Sequence, residues 1–187
     1  MAAAAAPVGS GKASVAHTAV DETSVDGAFK RTDSAFRNFI TEDGSSGFPA
    51  VAGRYHLYIS LACPWASRCY AFLVLKGLED VIGLSVVNPK WEKTREGESH
   101  LGWVFATSDN EEPGATVDHL YGVRTVRDLY DMADADYSLG KFSVPVLWDK
   151  ERKTIVNNES SEIIHCSTTS SANYQPRMLT GTLCRLI

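Results

Sequence analysis

The hydrophobic and polar positions in the middle of the chain predict a strand, a helix and a second strand. Residues 54–61 are rich in aromatic and β-branched side chains with partial alternation, which is typical of a strand. Residues 65–76 carry apolar side chains at helical spacing, Pro64 suits the first helical position, and Gly77 suits the position after the last turn. Residues 81–87 form a short apolar run that predicts a buried strand. Such a unit implies parallel pairing through a right-handed crossover.

The pattern beyond this unit predicts an excursion, a helix, a hairpin and a last helix. Residues 88–140 are too long for a simple loop, and we expect an insertion there, followed by a helix near 124–133. Residues 142–148 and 154–156 flank a polar turn and predict a hairpin. A further helix is expected from 161 onward, after polar residues that suit a helix cap. This order of elements is that of a thioredoxin-like α/β fold with an insertion between the second strand and the second helix.

The chain divides into a central domain and two ends. Residues 29–164 contain the predicted elements. Residues 1–28 begin with an alanine-rich stretch without Asp or Glu in its first twenty positions. A disordered tail and a plastid-type targeting segment both fit that composition, so we expect a cytoplasmic protein, with the chloroplast as the alternative. Residues 165–187 are polar and turn-rich with no helical period, which predicts an irregular tail.

Composition and charge argue against several classes of protein. The chain has 187 residues, 44% of them apolar, and a net charge of −5, which is typical of a globular protein. Without a basic run we expect no nucleic-acid partner, and the apolar runs are too short to span a membrane. The four cysteines, at positions 63, 69, 166 and 184, form no C-x-x-C pair and do not cluster with the histidines, so we expect no metal site.

Cys63 is the candidate nucleophile because it lies between the first strand and the first helix. Unpaired N–H groups and the helix dipole at such a position favour an anion, so we expect a lowered thiol pKa. A thiolate is the nucleophile of disulfide exchange. The alternative is a buried structural cysteine. Because the residue one turn later is Ala66, an external thiol must complete any redox cycle at Cys63.

Two later segments fall where a thioredoxin-like fold places binding groups. A cis peptide bond before Pro145 would turn the backbone of Val144 toward the thiol, and a trans proline in an edge strand is the alternative. At the start of the last helix, Glu159 could pair with an α-ammonium group while Ser160 and the free N–H groups hold an α-carboxylate. Together they would recognise the γ-glutamyl end of glutathione. A plain helix N-cap is the alternative.

Four segments carry a resemblance to a known family. They are residues 53–68 (GRYHLYISLACPWASR), 102–105 (GWVF), 144–149 (VPVLWD) and 154–164 (TIVNNESSEII). Together they resemble the glutathionyl-hydroquinone reductases, which are xi-class, omega-like glutathione transferases. The insertion between Pro89 and Trp103 is similar to that of the plant-like members.

The resemblance implies a reaction in which glutathione is a co-substrate. In this family a cysteine thiolate attacks the sulfur of a glutathionylated aromatic molecule, a glutathionyl-hydroquinone. The hydroquinone leaves, and a second glutathione releases oxidised glutathione from the mixed disulfide. Carried onto this chain, the resemblance makes Cys63 the catalytic residue.

The resemblance also implies a set of glutathione-binding residues. Trp103 would pack against glutathione, and Glu159 and Ser160 would hold its γ-glutamyl end. A stretch preceding the expected cis-proline, Pro145, would line the tripeptide, and it consists of Lys141, Phe142, Ser143 and Val144. Lysine at position 141, where relatives often have arginine, keeps the charge but loses the planar fork.

The chain departs from the family pattern after residue 164. Family members dimerise and continue with a helical domain that supplies the aromatic-substrate pocket, whereas this chain continues with the polar stretch from His165. We interpret it as a truncated or alternatively spliced form without that C-terminal helical domain, and expect an exposed apolar patch. Two hypotheses follow: an enzyme that reduces glutathionyl-hydroquinones, or a glutathione-binding or glutathionylated fragment without turnover.

Overall fold

The computed structural model describes residues 16–109 and 111–169. The elements within these ranges are, in chain order, β1 (Tyr55–Ile59), α1 (Pro64–Leu75), β2 (Ile82–Val86), β3 (Glu92–Lys93), β4 (Leu101–Gly102), α2 (Val126–Ala133), β5 (Val146–Asp149), β6 (Thr154–Asn157) and α3 (Ser160–Thr169).

Four of the strands form one mixed sheet with the order β2-β1-β5-β6. β1 pairs in parallel with β2 and antiparallel with β5, and β6 pairs antiparallel with β5. All five residues of β1 are buried, as in an inner strand that is covered on both faces. α1 packs against β1 and α3, and α2 packs against β6. The predicted thioredoxin-like α/β fold is confirmed.

The first helix begins and ends where the sequence places its signals. Pro64 is its first residue, where the missing N–H has no partner to lose. Gly77 follows the C-cap with φ +63°, in the left-handed region that favours glycine. The N–H of Gly77 donates to the carbonyl of Val74 at 3.0 Å, and the N–H of Leu78 donates to the carbonyl of Leu73 at 3.0 Å. These two bonds satisfy carbonyls at the helix end.

The insertion contains a small hairpin that is fixed to the second helix. β3 and β4 pair antiparallel, and Thr94 Oγ1 lies 2.7 Å from His100 Nδ1 at the hairpin. Glu98, in the turn, forms an ion pair with Arg127 of α2. The excursion predicted within residues 88–140 therefore folds back onto the domain.

The N-terminal segment packs on the domain where the sequence analysis predicted a tail. Residues 1–15 lie outside the described residues, but residues 16–34, which we call the N-terminal strap, are described. The N–H of His17 donates to the carbonyl of Gly140 at 2.9 Å, and Glu22 is buried in an ion pair with Lys141. Residues 16–28 therefore pack on the domain and do not form a separate tail, because Glu22 pairs with Lys141 of the domain.

The last helix continues past residue 164, where the sequence analysis placed the start of an irregular tail. α3 runs to Thr169, and Ile163 and Cys166 are both buried. Tertiary burial of one helix face outweighs the weak helix propensity of serine and threonine. Residues 170–187, the rest of the predicted tail, lie outside the described residues. No helix in the described part of the chain has the length and apolar character needed to cross a membrane.

Candidate functional site

A cleft opens at the start of α1, and five parts of the chain line it. They are the strap, the residues around Cys63, the β3–β4 region, the approach to β5 and the start of α3. Its lining includes eight of the nine residues that the sequence analysis singled out, Cys63, Trp103, Lys141, Phe142, Ser143, Val144, Pro145 and Ser160. The ninth, Glu159, lies behind this lining and contacts Arg31, which does line the cleft.

Cys63 occupies the N-cap of α1 with its side chain free of any cap hydrogen bond. Its backbone is extended, with φ −100° and ψ 115°, and only 9% of the residue is exposed. The thiol donates to the carbonyl of Val144 across a distance of 3.7 Å. The peptide bond between Val144 and Pro145 is cis. Strand β1 and this loop thus bring residues 81 positions apart into contact at the thiol.

The pKa of Cys63 is the point where the structure differs from the expectation of an acidic thiol. Burial raises the pKa of the Cys63 thiol above its ordinary value, and it outweighs the opposing effect of the backbone N–H groups of Ala66 and Trp65. The N–H groups at the helix start do lower the pKa, as expected. The hydration energy that a buried thiolate loses is larger than the energy of its hydrogen bonds to those two N–H groups. At neutral pH Cys63 is therefore a thiol rather than a thiolate.

The other described cysteines are parts of the core. Cys69 donates to the carbonyls of Trp65 and Ser160, each at 3.5 Å, and burial raises its pKa to about 12. Cys166 is fully buried, and burial raises its pKa as well. No disulfide joins Cys63, Cys69 and Cys166 to one another. Cys63 is the one of them that lines the cleft.

The backbone beside the thiol has one group available for a ligand. The carbonyl of Ser143 accepts from Tyr130 Oη at 3.0 Å, and Tyr130 in turn accepts from Asn158 Nδ2 at 2.9 Å. The N–H of Val144 has no hydrogen-bond partner among the described residues. A backbone donor next to a thiol can pair with an extended peptide. Phe142 supplies a buried wall here, with the guanidinium of Arg127 over its ring at 5.0 Å.

The ammonium of Lys141 is fully engaged with the strap. It donates to both carboxylate oxygens of Glu22, at 2.8 and 3.0 Å, and to the carbonyl of Thr32 at 3.0 Å. A lysine has three N–H donors, so none is left for a ligand. Burial acts to raise the pKa of Glu22, but the hydrogen bonds from Lys141 and Thr32 outweigh it and hold that pKa below its usual value.

Glu159 precedes α3 and Ser160 begins it, and each side chain contacts a different arginine. The carboxylate of Glu159 forms an ion pair with Arg31 and accepts from the hydroxyls of Ser34 and Ser161, each at 3.1 Å. Burial acts to raise the pKa of Glu159, yet the bonds from Ser161 and the charge of Arg31 hold it below the usual value, so the group is ionised at neutral pH. Ser160 Oγ accepts from Arg68 Nε at 3.2 Å.

Two tryptophans form the aromatic side of the cleft. The rings of Trp91 and Trp103 meet edge to face, with centroids 5.6 Å apart. Trp91 Nε1 is buried without a hydrogen-bond partner in the described part of the chain. Such a pair offers an apolar surface for a ligand and, at Trp91, one unused donor.

Several lining residues were not foreseen from the sequence. They come from the strap and the hairpin and include Glu22, Arg31, Ser34, Trp91 and His100. The pairing of Glu22 with Lys141, and of Arg31 with Glu159, joins residues more than a hundred positions apart. Within the described residues, no group of three or more His, Cys, Asp and Glu side chains is placed to hold a metal ion.

Comparison with known proteins gives one consistent result. Residues 62–169 match the family described as the glutathione S-transferase N-terminal domain. The glutathionyl-hydroquinone reductase YqjG of Escherichia coli (strain K12) is 48% identical over 156 residues, which cover 80% of this chain and 44% of that protein.

Solved structures agree with this match. The xi glutathione transferase of Phanerochaete chrysosporium superposes with a TM-score of 0.70 at 47% identity, covering 80% of this chain and 46% of that one. The glutathione-bound structure of YqjG superposes with a TM-score of 0.64 at 48% identity, covering 73% of this chain and 43% of that one. The chain thus spans less than half the length of these relatives.

Proposed function

Because the chain belongs to the glutathione S-transferase family through the N-terminal domain, we propose that it binds glutathione in the cleft and forms a mixed disulfide with it at Cys63. The observation that carries this proposal is the position of the Cys63 thiol, 3.7 Å from the Val144 carbonyl, in a cleft that ends at Ser160 on α3. In this arrangement the N–H of Val144 pairs with the peptide backbone of glutathione. The γ-glutamyl end lies at the start of α3, and Trp103 packs against the tripeptide.

The reaction we propose is the reduction of a glutathionyl-hydroquinone. The Cys63 thiolate attacks the glutathione sulfur, the bond between that sulfur and the aromatic carbon breaks, and the carbon takes up a proton as the hydroquinone leaves. A second glutathione thiolate then attacks the mixed disulfide, which releases oxidised glutathione and restores Cys63. The relative YqjG, which is named for this activity, supports the proposal.

A glutathione-binding or glutathionylated chain without turnover is the second candidate. Two observations favour it. Burial raises the pKa of Cys63, so little thiolate is present at neutral pH. The chain also spans less than half the length of the relatives.

Turnover of a glutathionyl-hydroquinone with excess glutathione separates the two candidates. The assay measures hydroquinone and oxidised glutathione by chromatography, with Cys63→Ser as the test variant and Cys69→Ser as the matched control. The reductase proposal expects turnover that Cys63→Ser abolishes and Cys69→Ser preserves. Absence of turnover together with a mixed disulfide on Cys63 supports the second candidate, and absence of both overturns the two of them.

A further inference from the structure

We propose that Arg31, on the N-terminal strap, binds the α-carboxylate of the γ-glutamyl group of glutathione. The inference rests on the proposed function and deepens it, because it assigns a binding residue outside the matched region of residues 62–169. It also assigns Lys141 a different task, which is to hold the strap in place.

The cations of the cleft single out Arg31. Arg31 and Lys141 are the two Lys or Arg side chains among the described residues that line it. The ammonium of Lys141 gives all three donors to Glu22 and Thr32. Lys141 therefore has no donor left for a ligand, and Arg31 is the cation with donors to spare.

Arg31 has both free donors and access to the cleft. Its Nη2 donates to Glu159 and lies 3.5 Å from Ser34 Oγ, while its Nε and Nη1 make no hydrogen bond within the described residues. A guanidinium has five N–H donors in a planar fork, which suits a carboxylate. The Arg31 side chain is 41% exposed, whereas that of Glu159 is 9% exposed. The arginine therefore forms the outer, ligand-facing member of this ion pair.

The pair of charges matches the chemistry of the γ-glutamyl group. The α-carbon of that group carries a carboxylate and an ammonium side by side. Arg31 and Glu159 present a cation and an anion in direct contact, beside Ser160 at the start of α3. A carboxylate on Arg31 and an ammonium on Glu159 pair both charges of the ligand. The N–H of Ser160, which has no hydrogen-bond partner among the described residues, adds to carboxylate binding.

Hydrogen bonds of the residues on either side of Arg31 hold its backbone in position. The N–H of Thr32 donates to Glu22 Oε1 at 2.8 Å, and the carbonyl of Thr32 accepts from Lys141. On the other side, the N–H of Lys30 donates to the carbonyl of Glu22 at 2.8 Å. The residues flanking Arg31 are thus both bonded to Glu22, which fixes the backbone that carries the guanidinium.

Calorimetric titration of the full chain with glutathione and two analogues tests the inference. In one analogue the γ-glutamyl α-carboxylate is amidated, and in the other the glycine carboxylate is esterified. We expect Arg31→Ala to weaken glutathione binding at least about tenfold, since hydrogen bonds between charged groups are among the strong ones. The loss should persist with the glycine ester and vanish with the amide. Arg31→Lys, which keeps the charge without the fork, should lose less.

Arg37→Ala is the matched control because Arg37 also links the N-terminal part of the chain to a glutamate of α3, Glu162, but does not line the cleft. We expect it to bind glutathione within about twofold of the unchanged chain. Equal binding by Arg31→Ala, or an equal loss with the amide, overturns the inference and leaves the proposed function intact. Failure of the unchanged chain to bind glutathione overturns the proposed function, and the inference with it.

Discussion

Two opposing influences act on Cys63 at the scale of the single residue. The start of α1 offers N–H groups that favour the thiolate, and burial in the cleft favours the thiol. The effect of burial on the pKa is the larger one, so the thiolate needed for exchange is a minor species at neutral pH. The sequence position alone reveals the first influence, whereas the second depends on how deeply the folded chain covers the side chain.

The raised pKa of Cys63 predicts the pH dependence of its alkylation. The thiolate is the form that reacts with iodoacetamide, and a raised pKa delays its appearance to higher pH. In a chain where Cys69, Cys166 and Cys184 are serine, the alkylation rate should rise with pH and reach half its maximum at a higher pH than in the same chain unfolded in denaturant. A half-maximum at or below that of the unfolded chain contradicts the account of burial.

Sequence analysis predicted the site residues whose role depends on their position at the end or start of an element. Cys63 before a helix, Pro145 before a strand and Ser160 at a helix start all lie at junctions that the hydrophobic pattern marks. Glu22 and Arg31 could not be predicted this way, because each finds its partner across more than a hundred residues. The local sequence of the strap does not indicate which distant residues its charged side chains pair with.

At the scale of elements, the parallel pair β1–β2 leaves no room for a side chain at Gly83. His56 of β1 and Gly83 of β2 are partners in the register, and a Cβ atom on Gly83 would lie 2.4 Å from His56 Nδ1. The ring is fixed on its other side by a 2.9 Å hydrogen bond between Nε2 and Ser85 Oγ. Burial lowers the pKa of His56 to about 4, so the ring is neutral at pH 7. Gly83 is therefore required by packing.

We expect Gly83→Ala to lower the free energy of unfolding by about 1–3 kcal/mol, the usual cost of overpacking a core. The added methyl group must displace the His56 ring and with it the bond to Ser85. Urea denaturation measures the change. The same substitution in a His56→Ala background should cost less, because the clashing ring is gone. An equal cost in both backgrounds contradicts the contact with His56 as its cause.

The elements were easier to predict from sequence where they are long. β1, α1 and β2 have clear hydrophobic patterns, and their predicted bounds differ from the observed ones by one or two residues. The two-residue strands β3 and β4 are too short to carry any period. The extension of α3 to Thr169 depends on the burial of Cys166, which a window of serine and threonine does not reveal.

At the scale of the whole molecule, the last turn of α1 carries two exposed apolar side chains. Val74 and Leu75 have 43% and 52% of their surface in contact with solvent. Contiguous exposed apolar surface tends to bind other apolar surfaces. The apolar patch that the sequence analysis expected stays a prediction, and we propose Val74 and Leu75 at the end of α1 as part of it.

The exposed side chains of Val74 and Leu75 predict dye binding and self-association. The double variant Val74→Ser/Leu75→Gln should bind less of an environment-sensitive hydrophobic dye than the unchanged chain and should elute later in size-exclusion chromatography. Val51→Ser is the control, since Val51 is 47% exposed and does not belong to α1. Equal dye binding by the double variant and the unchanged chain contradicts the assignment of Val74 and Leu75 to an exposed apolar patch.

The measurement that tests the central claim most directly is the intact mass of the chain after reaction with a glutathionyl-hydroquinone or with oxidised glutathione, followed by peptide mapping. The account predicts the addition of one glutathionyl group, located on Cys63, removed by excess glutathione and absent in Cys63→Ser. A glutathionyl group found on another cysteine, or equal labelling of Cys63→Ser, contradicts the claim that the cleft is a glutathione site built around Cys63.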